Sequence, residues 1–197
     1  MSKGAATKGA ILDEAIAVTS RDGFAGLTVG SLAERTGMSK SGLFAHFGSM
    51  DRLQLQVLQR TQERFVDCVV RPGLATPRGE RRVRAVFDNW LHWASEIMPG
   101  GCIFVGAAIE FDERPGELRD ALVGAERDWL ELLATVAGSA VADGDFDPDL
   151  DLEQFAFEVH SLMLGYHHAS RLMHDPQALT RTRRAFDALI ERARRSH

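Results

Sequence analysis

Long apolar runs are missing from this 197-residue sequence, and nothing in it approaches the roughly 20 apolar residues that a membrane-spanning helix needs. Cysteine is nearly absent. Cys68 and Cys102 stand alone, which excludes a disulfide framework, points to a reducing cytoplasm and leaves inert thiols as the default reading. The opening MSKGAATKGA has two lysines but no apolar stretch behind them, so a secretory signal is not expected. A glycine-rich phosphate cradle, a nucleophile elbow and a metalloprotease motif are all missing, and no catalytic arrangement emerges. Internal repeats and low-complexity segments are missing as well.

What is present has an ordinary globular balance, 45% hydrophobic and 26% charged, long enough for one large or two small domains with a proper core. The net charge of −5 argues against a nucleic-acid binder until it is divided along the chain. The first fifty residues set Lys3, Lys8, Arg21, Arg35 and Lys40 against Asp13, Glu14, Asp22 and Glu34, a net +1, and the remainder carries −6. A mildly basic head on an acidic body suits a protein that presents one end to phosphate.

Periodicity predicts an all-α chain of about nine helices with no convincing strand. Residues 1–7 read as irregular. A first helix over 8–22 carries Ile11, Leu12, Ala15 and Ile16 on one face and ends at Gly23. Later helices are expected over 49–70, 79–98, 117–142, 152–174 and 176–194, with Asp175 as a cap and Pro176 at a first helical position. The segment CIFVGAAIEF, 102–111, alternates poorly and is rich in Ala and Gly, so it reads as helix.

The stretch from Leu27 to Phe47, LTVGSLAERTGMSKSGLFAHF, organises the rest. Thr28 is suited to cap a short helix, Gly37 to end it, and Ser39 to cap a second short helix carrying Lys40 to Phe47. Two short helices joined by a Gly-containing turn read as helix-turn-helix, whose second helix enters the major groove. Ser39, Lys40, Ser41 and Gly42 are small or polar enough to approach base edges and phosphates, while Leu43 and Phe47 anchor the helix inward.

The run from Ile11 to Leu53 closely resembles the DNA-binding domain of the TetR (tetracycline-repressor) family, through Gly23-Phe24, Leu27-Thr28-Val29, Leu32-Ala33, Gly37-Met38-Ser39-Lys40 and Leu43-Phe44-Ala45-His46-Phe47. The resemblance implies a helix-turn-helix domain over 1–48 and a ligand-binding and dimerisation domain over 49–197. It assigns DNA contact to Thr28, Ser39, Lys40, Ser41, Gly42, Phe44 and His46. In two places the chain departs from the family: Phe44 stands where a tyrosine commonly reaches phosphate, and Met50 where a lysine usually does. Arg52 is available to take over, and Thr7 and Lys8 could also touch phosphate. Lys40, the one full charge on the second helix, can serve either a phosphate or a guanine.

The resemblance further implies a small apolar or aromatic effector held in the body. Trp90, Trp93, Phe104, Glu110 and Trp129 are the expected lining, Trp93 because the stripe through Trp90 and Ile97 does not need a second tryptophan. Glu110 also has the commoner role of a cap. The last two helices are expected to form an intermolecular four-helix bundle through Phe155, Leu162, Tyr166, Phe186, Leu189 and Ile190. His160, His167 and His174 recur every seven residues, about 10 Å apart along a helix, too far to share one ion. Neither metal nor cofactor is expected. Arg181, Arg183, Arg184, Arg192, Arg194 and Arg195 read as a solvated face and a favourable helix end. The overall expectation is a cytoplasmic homodimer on a palindromic operator, repressing until an effector releases it. A constitutive regulator with a vestigial pocket, or an enzyme with an acid–base site in the body, stays open.

Overall fold

A computed structural model describes residues 3–194, with side chains from residue 7 onward; Arg195 lies outside the described residues. The elements are α1 (Lys3–Gly26), α2 (Val29–Thr36), α3 (Lys40–Phe47), α4 (Met50–Phe65), α5 (Arg71–Ala75), α6 (Glu80–His92), α7 (Ile103–Phe111), α8 (Glu117–Ala142), α9 (Leu152–Arg171) and α10 (Ala178–Ala193). A π turn at Val66–Val70 joins α4 to α5, and another at Trp93–Ile97 continues α6. Helix therefore runs unbroken over 50–75 and 80–97, and the described residues contain nine continuous helical runs. The fold is all-α, as expected. Its β pairing among the described residues is one isolated bridge, Phe146 with Arg194. No helix among the described residues is long and apolar enough to cross a membrane.

Helix begins earlier than expected, at Lys3 and not near Lys8, with the helix formers Lys3, Ala5, Ala6 and Lys8 outweighing Gly4 and Thr7. Gly23 does break it, with φ 73° and ψ 177°, but helical geometry resumes at once and lasts to Gly26. Helix α9 stops at Arg171, short of 174, because His174 adopts left-handed backbone (φ 49°). Helix α10 starts two residues late. Asp175 accepts the Gln177 amide at 2.8 Å and so closes a turn ahead of the helix.

The chain divides into two compact units: unit 1 holds 3–64 and 98–124, unit 2 holds 65–97 and 125–194. This differs from a division at residue 48, because 49–64 and 98–124 pack with the head. In unit 1, Ile11, Ala15 and Ile16 of α1 are buried together with Phe24, Leu27, Leu32, Leu43, Phe47, Leu53, Val57 and Leu58. In unit 2, α6 supplies Val83, Val86, Phe87 and Trp90, and α9 and α10 pack on each other. Phe186 stacks flat on Phe87 with ring centroids 3.7 Å apart. Beside that stack, Glu80 bonds both Arg84 (2.7 Å) and Arg194 (2.8 Å), and Arg84 also bonds Asp187 (2.6 Å). The Arg194 hydrogen bond is the main cause holding the Glu80 carboxyl below its ordinary range.

Candidate nucleic-acid interface

Local side-chain chemistry builds the helix-turn-helix in unit 1. The Thr28 hydroxyl accepts from the Ser31 amide (3.0 Å) and the Ser31 hydroxyl accepts from the Thr28 amide (3.1 Å), a reciprocal cap on α2. Gly37 ends α2 in left-handed backbone, φ 67° and ψ 17°, where a side chain would be strained. The Ser39 hydroxyl then accepts from the Gly42 amide at 3.1 Å and lies 3.1 Å from the Ser41 hydroxyl. Thr28, Ser39 and Ser41 are thus engaged in capping while still exposed. Leu43 and Phe47 are buried, which turns Lys40, Ser41, Phe44 and Ala45 outward as one face of α3.

One groove in unit 1 is bordered by Lys8 of α1, His46 and Phe47 of α3, Gly48, and Arg52 of α4. Lys8 Nζ stands 5.5 Å from the centre of the Phe47 ring, and the Arg52 amide is tied to the Ser49 hydroxyl at 3.2 Å. Two cations and an imidazole, each from a different helix, line one recess at the edge of α3. The two departures from the family pattern also sit together. Phe44, 48% exposed, and Met50 border one apolar hollow of about 10 Å³, room for at most a water. The lysine and tyrosine of the pattern have been replaced by an apolar pair, with basic side chains standing in the groove nearby.

The residues expected to line an effector site fall in both units. Phe104, buried, and Glu110 lie on α7 of unit 1. There Glu110 accepts the backbone amides of Phe24 (3.0 Å) and Ala25 (2.9 Å). Trp90, Trp93 and Trp129 lie in unit 2. Trp93 and Trp129 both meet the Phe65 ring edge-on, at 5.5 and 5.0 Å, and Trp90 meets Tyr166 at 6.3 Å. Trp93 is 0% and Trp129 7% exposed, yet neither indole N–H has an acceptor among the described residues. An indole nitrogen can only donate, and both of these donors are buried in one apolar region without an acceptor among the described residues.

Two histidines of α9, His160 and His167, are half-buried in the same unit. His160 Nε2 lies 3.5 Å from Glu126 Oε2, and the buried His167 Nε2 has no hydrogen-bond partner among the described residues. Burial pushes both imidazoles below their usual range, for His167 with help from Arg171 and His168, and pushes the Glu126 carboxyl up. The His160–Glu126 pair is therefore a long contact between groups that burial drives toward neutrality. No group of three or more metal-ligating side chains occurs among the described residues.

The pH dependence follows from these shifts. The folded chain binds fewer protons at His160 and His167 than the unfolded chain, so stability falls as pH drops through the ordinary imidazole value of about 6.5. Glu126, raised by burial, acts in the opposite sense: its contribution improves as pH falls toward the ordinary carboxylate range. His160→Gln with His167→Gln should lose less unfolding temperature between about pH 7.5 and 5.5 than the unmodified chain. Equal losses in thermal melts would refute this.

The residues expected at a dimer interface are mostly inside the subunit. Phe155, Tyr166, Phe186, Leu189 and Ile190 are buried within one chain, against partners such as Phe146, Trp90 and Phe87, and Leu162 is half-buried. The periodicity is real, but it faces the subunit's own core. The exposed apolar side chains of this region are Phe157, Leu164, Leu172, Met173 and Leu179. Phe157, Leu164 and Leu172 are seven and eight residues apart, one stripe along the outer side of α9 and its end. Arg183, Arg192 and Arg181 of α10 are held by Asp88, Glu158 and Asp175, as a solvated, ion-paired face.

The chain matches two family models, "Bacterial regulatory proteins, tetR family" over residues 11–57 and "Tetracyclin repressor-like, C-terminal domain" over 79–186. Among solved structures it is similar to a TetR transcriptional regulator from Chloroflexus aurantiacus J-10-FL, 23% identical over all of both chains, TM-score 0.88. It is similar to a transcriptional regulator from Saccharomonospora viridis in complex with choline, 18% identical over 98% of this chain and all of that one, TM-score 0.82. It also resembles AibR in complex with isovaleryl coenzyme A and operator DNA, 18% identical over 82% of this chain and 85% of that one, TM-score 0.68. No curated protein sequence matches. With one model spanning more than half of its length and another spanning its helix-turn-helix, the chain belongs to the TetR family of bacterial regulatory proteins.

Proposed function

We propose that the protein is a cytoplasmic homodimer that binds a palindromic operator through α3, represses transcription, and leaves DNA when a small molecule binds in unit 2. The observation that carries the reading is the doubly capped helix-turn-helix, with Lys40, Ser41 and Phe44 outward and the Lys8–His46–Arg52 groove at its edge. Thr28 and Ser39 serve mainly by fixing the helix ends, Lys40 and Ser41 by reaching DNA directly, and His46 and Arg52 by holding phosphate. Two such helices must lie about 34–36 Å apart to occupy successive major grooves. The stripe of Phe157, Leu164 and Leu172 supplies the surface on which a second copy seats. The protein acts by binding, without turnover of its ligand.

The effector reading rests on Trp93 and Trp129, whose buried donors call for an acceptor-bearing guest with an apolar or aromatic body. The relatives solved with choline and with isovaleryl coenzyme A plus operator DNA make a ligand-responsive regulator the natural counterpart. An effector that favours a dimer with a different helix spacing would weaken operator binding by its differential affinity, typically about 1–3 kcal/mol.

Selecting bound duplexes from random DNA should return a palindrome with half-sites about one helical turn apart, and failure to enrich any sequence would end the DNA-binding reading. Screening an apolar and aromatic library by intrinsic fluorescence should give saturable quenching. Members bearing a carbonyl oxygen should bind about tenfold or more tighter than their hydrocarbon analogues, and Trp129→Phe should erase that preference. A library with no quencher would leave a constitutive regulator as the better account.

A further inference from the structure

We propose that Glu110 is a positioning residue for DNA reading: its carboxylate clasps the corner between α1 and α2 and thereby sets the pose of the two reading helices. The inference rests on the DNA-binding function proposed above. The corner begins at Gly23, whose φ of 73° and ψ of 177° interrupt the helical hydrogen-bond ladder and strand the amides that follow it. Phe24 and Ala25 donate those amides to Glu110, one to each oxygen, at 3.0 and 2.9 Å. A Cβ on residue 23 would stand 2.3 Å from Glu110 Oε1, so glycine suits the left-handed backbone angle there and leaves the carboxylate its place, which a side chain would displace.

A second clasp lies one turn earlier. The Ser20 hydroxyl donates to the Gly101 carbonyl (3.0 Å) and accepts from the Gly100 amide (2.8 Å). The backbones approach so closely that a Cβ on residue 100 would lie 1.7 Å from the Ser20 carbonyl oxygen. Phe24 and Phe111 then meet edge-on at 5.5 Å. The end of α1 is thus held to the segment 98–111 by four directional hydrogen bonds and one ring contact, all inside unit 1.

From this clasp the polar contacts lead straight into the reader. The carbonyl of Gly26, next to Ala25, accepts from the Ser31 hydroxyl at 3.2 Å. That hydroxyl also receives the Thr28 amide, and Ser31 donates its own amide to Thr28, so the clasped corner and the N-terminus of α2 share one network. Helix α2 leads to α3 through the Gly37 turn, where the Met38 amide returns to the Ala33 carbonyl at 3.2 Å. A recognition helix works only when held close to its docking geometry, and an acceptor that names two particular amides fixes a corner where apolar packing would let it slide. Glu110 touches no DNA in this account; it acts through α2.

The test uses the full chain, with Glu110→Gln and Glu110→Ala, on a duplex selected from random DNA. Glutamine keeps one acceptor oxygen, so it should free one amide, and alanine should free both. Amide exchange at Phe24 and Ala25 should accelerate in that order. Operator affinity should fall about tenfold or more for Glu110→Ala and by an intermediate amount for Glu110→Gln, with the salt slope unchanged because no phosphate contact is lost. A merely structural contact would lower the unfolding temperature and leave the folded protein's affinity alone. Affinity within about twofold of the unmodified chain, unaccelerated exchange, or an altered salt slope would each overturn the proposal. If Glu110→Ala does not fold, the same criteria apply to Glu110→Gln. Failure of the unmodified chain to select any duplex would instead overturn the DNA-binding reading, and the clasp's role in reading with it.

Discussion

Removing Lys40 and Arg52 together is expected to lower operator affinity about a thousandfold at 0.1 M salt and to reduce the salt slope by about 4 for the dimer. The size of the effect comes from counting. Each neutralised phosphate contributes about 0.9 to the slope, and the two side chains supply two contacts per half-site, four per operator. These residues carry more of the load here because Phe44 and Met50 bring apolar groups to the reading edge. The single variants separate two roles for Lys40. If it holds phosphate, Lys40→Ala weakens all duplexes alike; if it pairs with guanine, the loss is about 1–3 kcal/mol and confined to one base position per half-site. Phe44→Tyr, at an exposed position with room for a hydroxyl, should tighten binding without changing sequence preference. Titrations on operator and scrambled duplexes at several salt concentrations read all three, and a double variant with unchanged affinity would remove α3 and its groove as the interface.

Phe186→Ala is expected to destabilise the subunit by about 3–5 kcal/mol, the cost of deleting a buried aromatic ring. The ring lies flat on Phe87 at 3.7 Å, is 3% exposed, and has the Arg84 guanidinium 5.9 Å from its centre. Losing it opens a cavity beside an ion-paired network that depends on the same helix contact. Phe157→Glu with Leu164→Glu should behave in the opposite way. Phe157 is 61% exposed and Leu164 also faces outward, so charges there leave the subunit's core intact and disrupt only what seats on the stripe. Light scattering should then report a folded monomer, whereas Phe186→Ala should show its loss in denaturant unfolding. A stable dimer after the double charge substitution would place the interface elsewhere.

The helix-turn-helix was legible because its determinants are local. Thr28, Gly37 and Ser39 act on backbone groups within three or four residues, and a cap is chemistry that a short window contains. The buried stripe of α10, with Phe186, Leu189 and Ile190, was legible for the same reason: a helical period shows that a face is covered. It does not show by what. Seen from sequence, the stripe was available for a second copy, and the fold instead spends it against Phe87 and its neighbours, leaving the weaker stripe of α9 outside.

Glu110 marks the same boundary more sharply. In sequence it is one carboxylate in a run of acids, open to a ligand but more commonly a cap, and Gly23 and Gly100 read as helix stops. Its partners stand 85 and 86 positions away, and Gly100 meets Ser20 across 80. Alone, this sequence determined which segments are helical, the caps of α2 and α3, the outward face of α3 and the family, all written in short-range periodicity and backbone chemistry. Only the tertiary structure decided which apolar faces remain exposed, which donors lie buried without an acceptor among the described residues and which carboxylate holds the corner between α1 and α2. Those depend on what the chain brings together over eighty residues, and no local pattern encodes the identity of a distant neighbour.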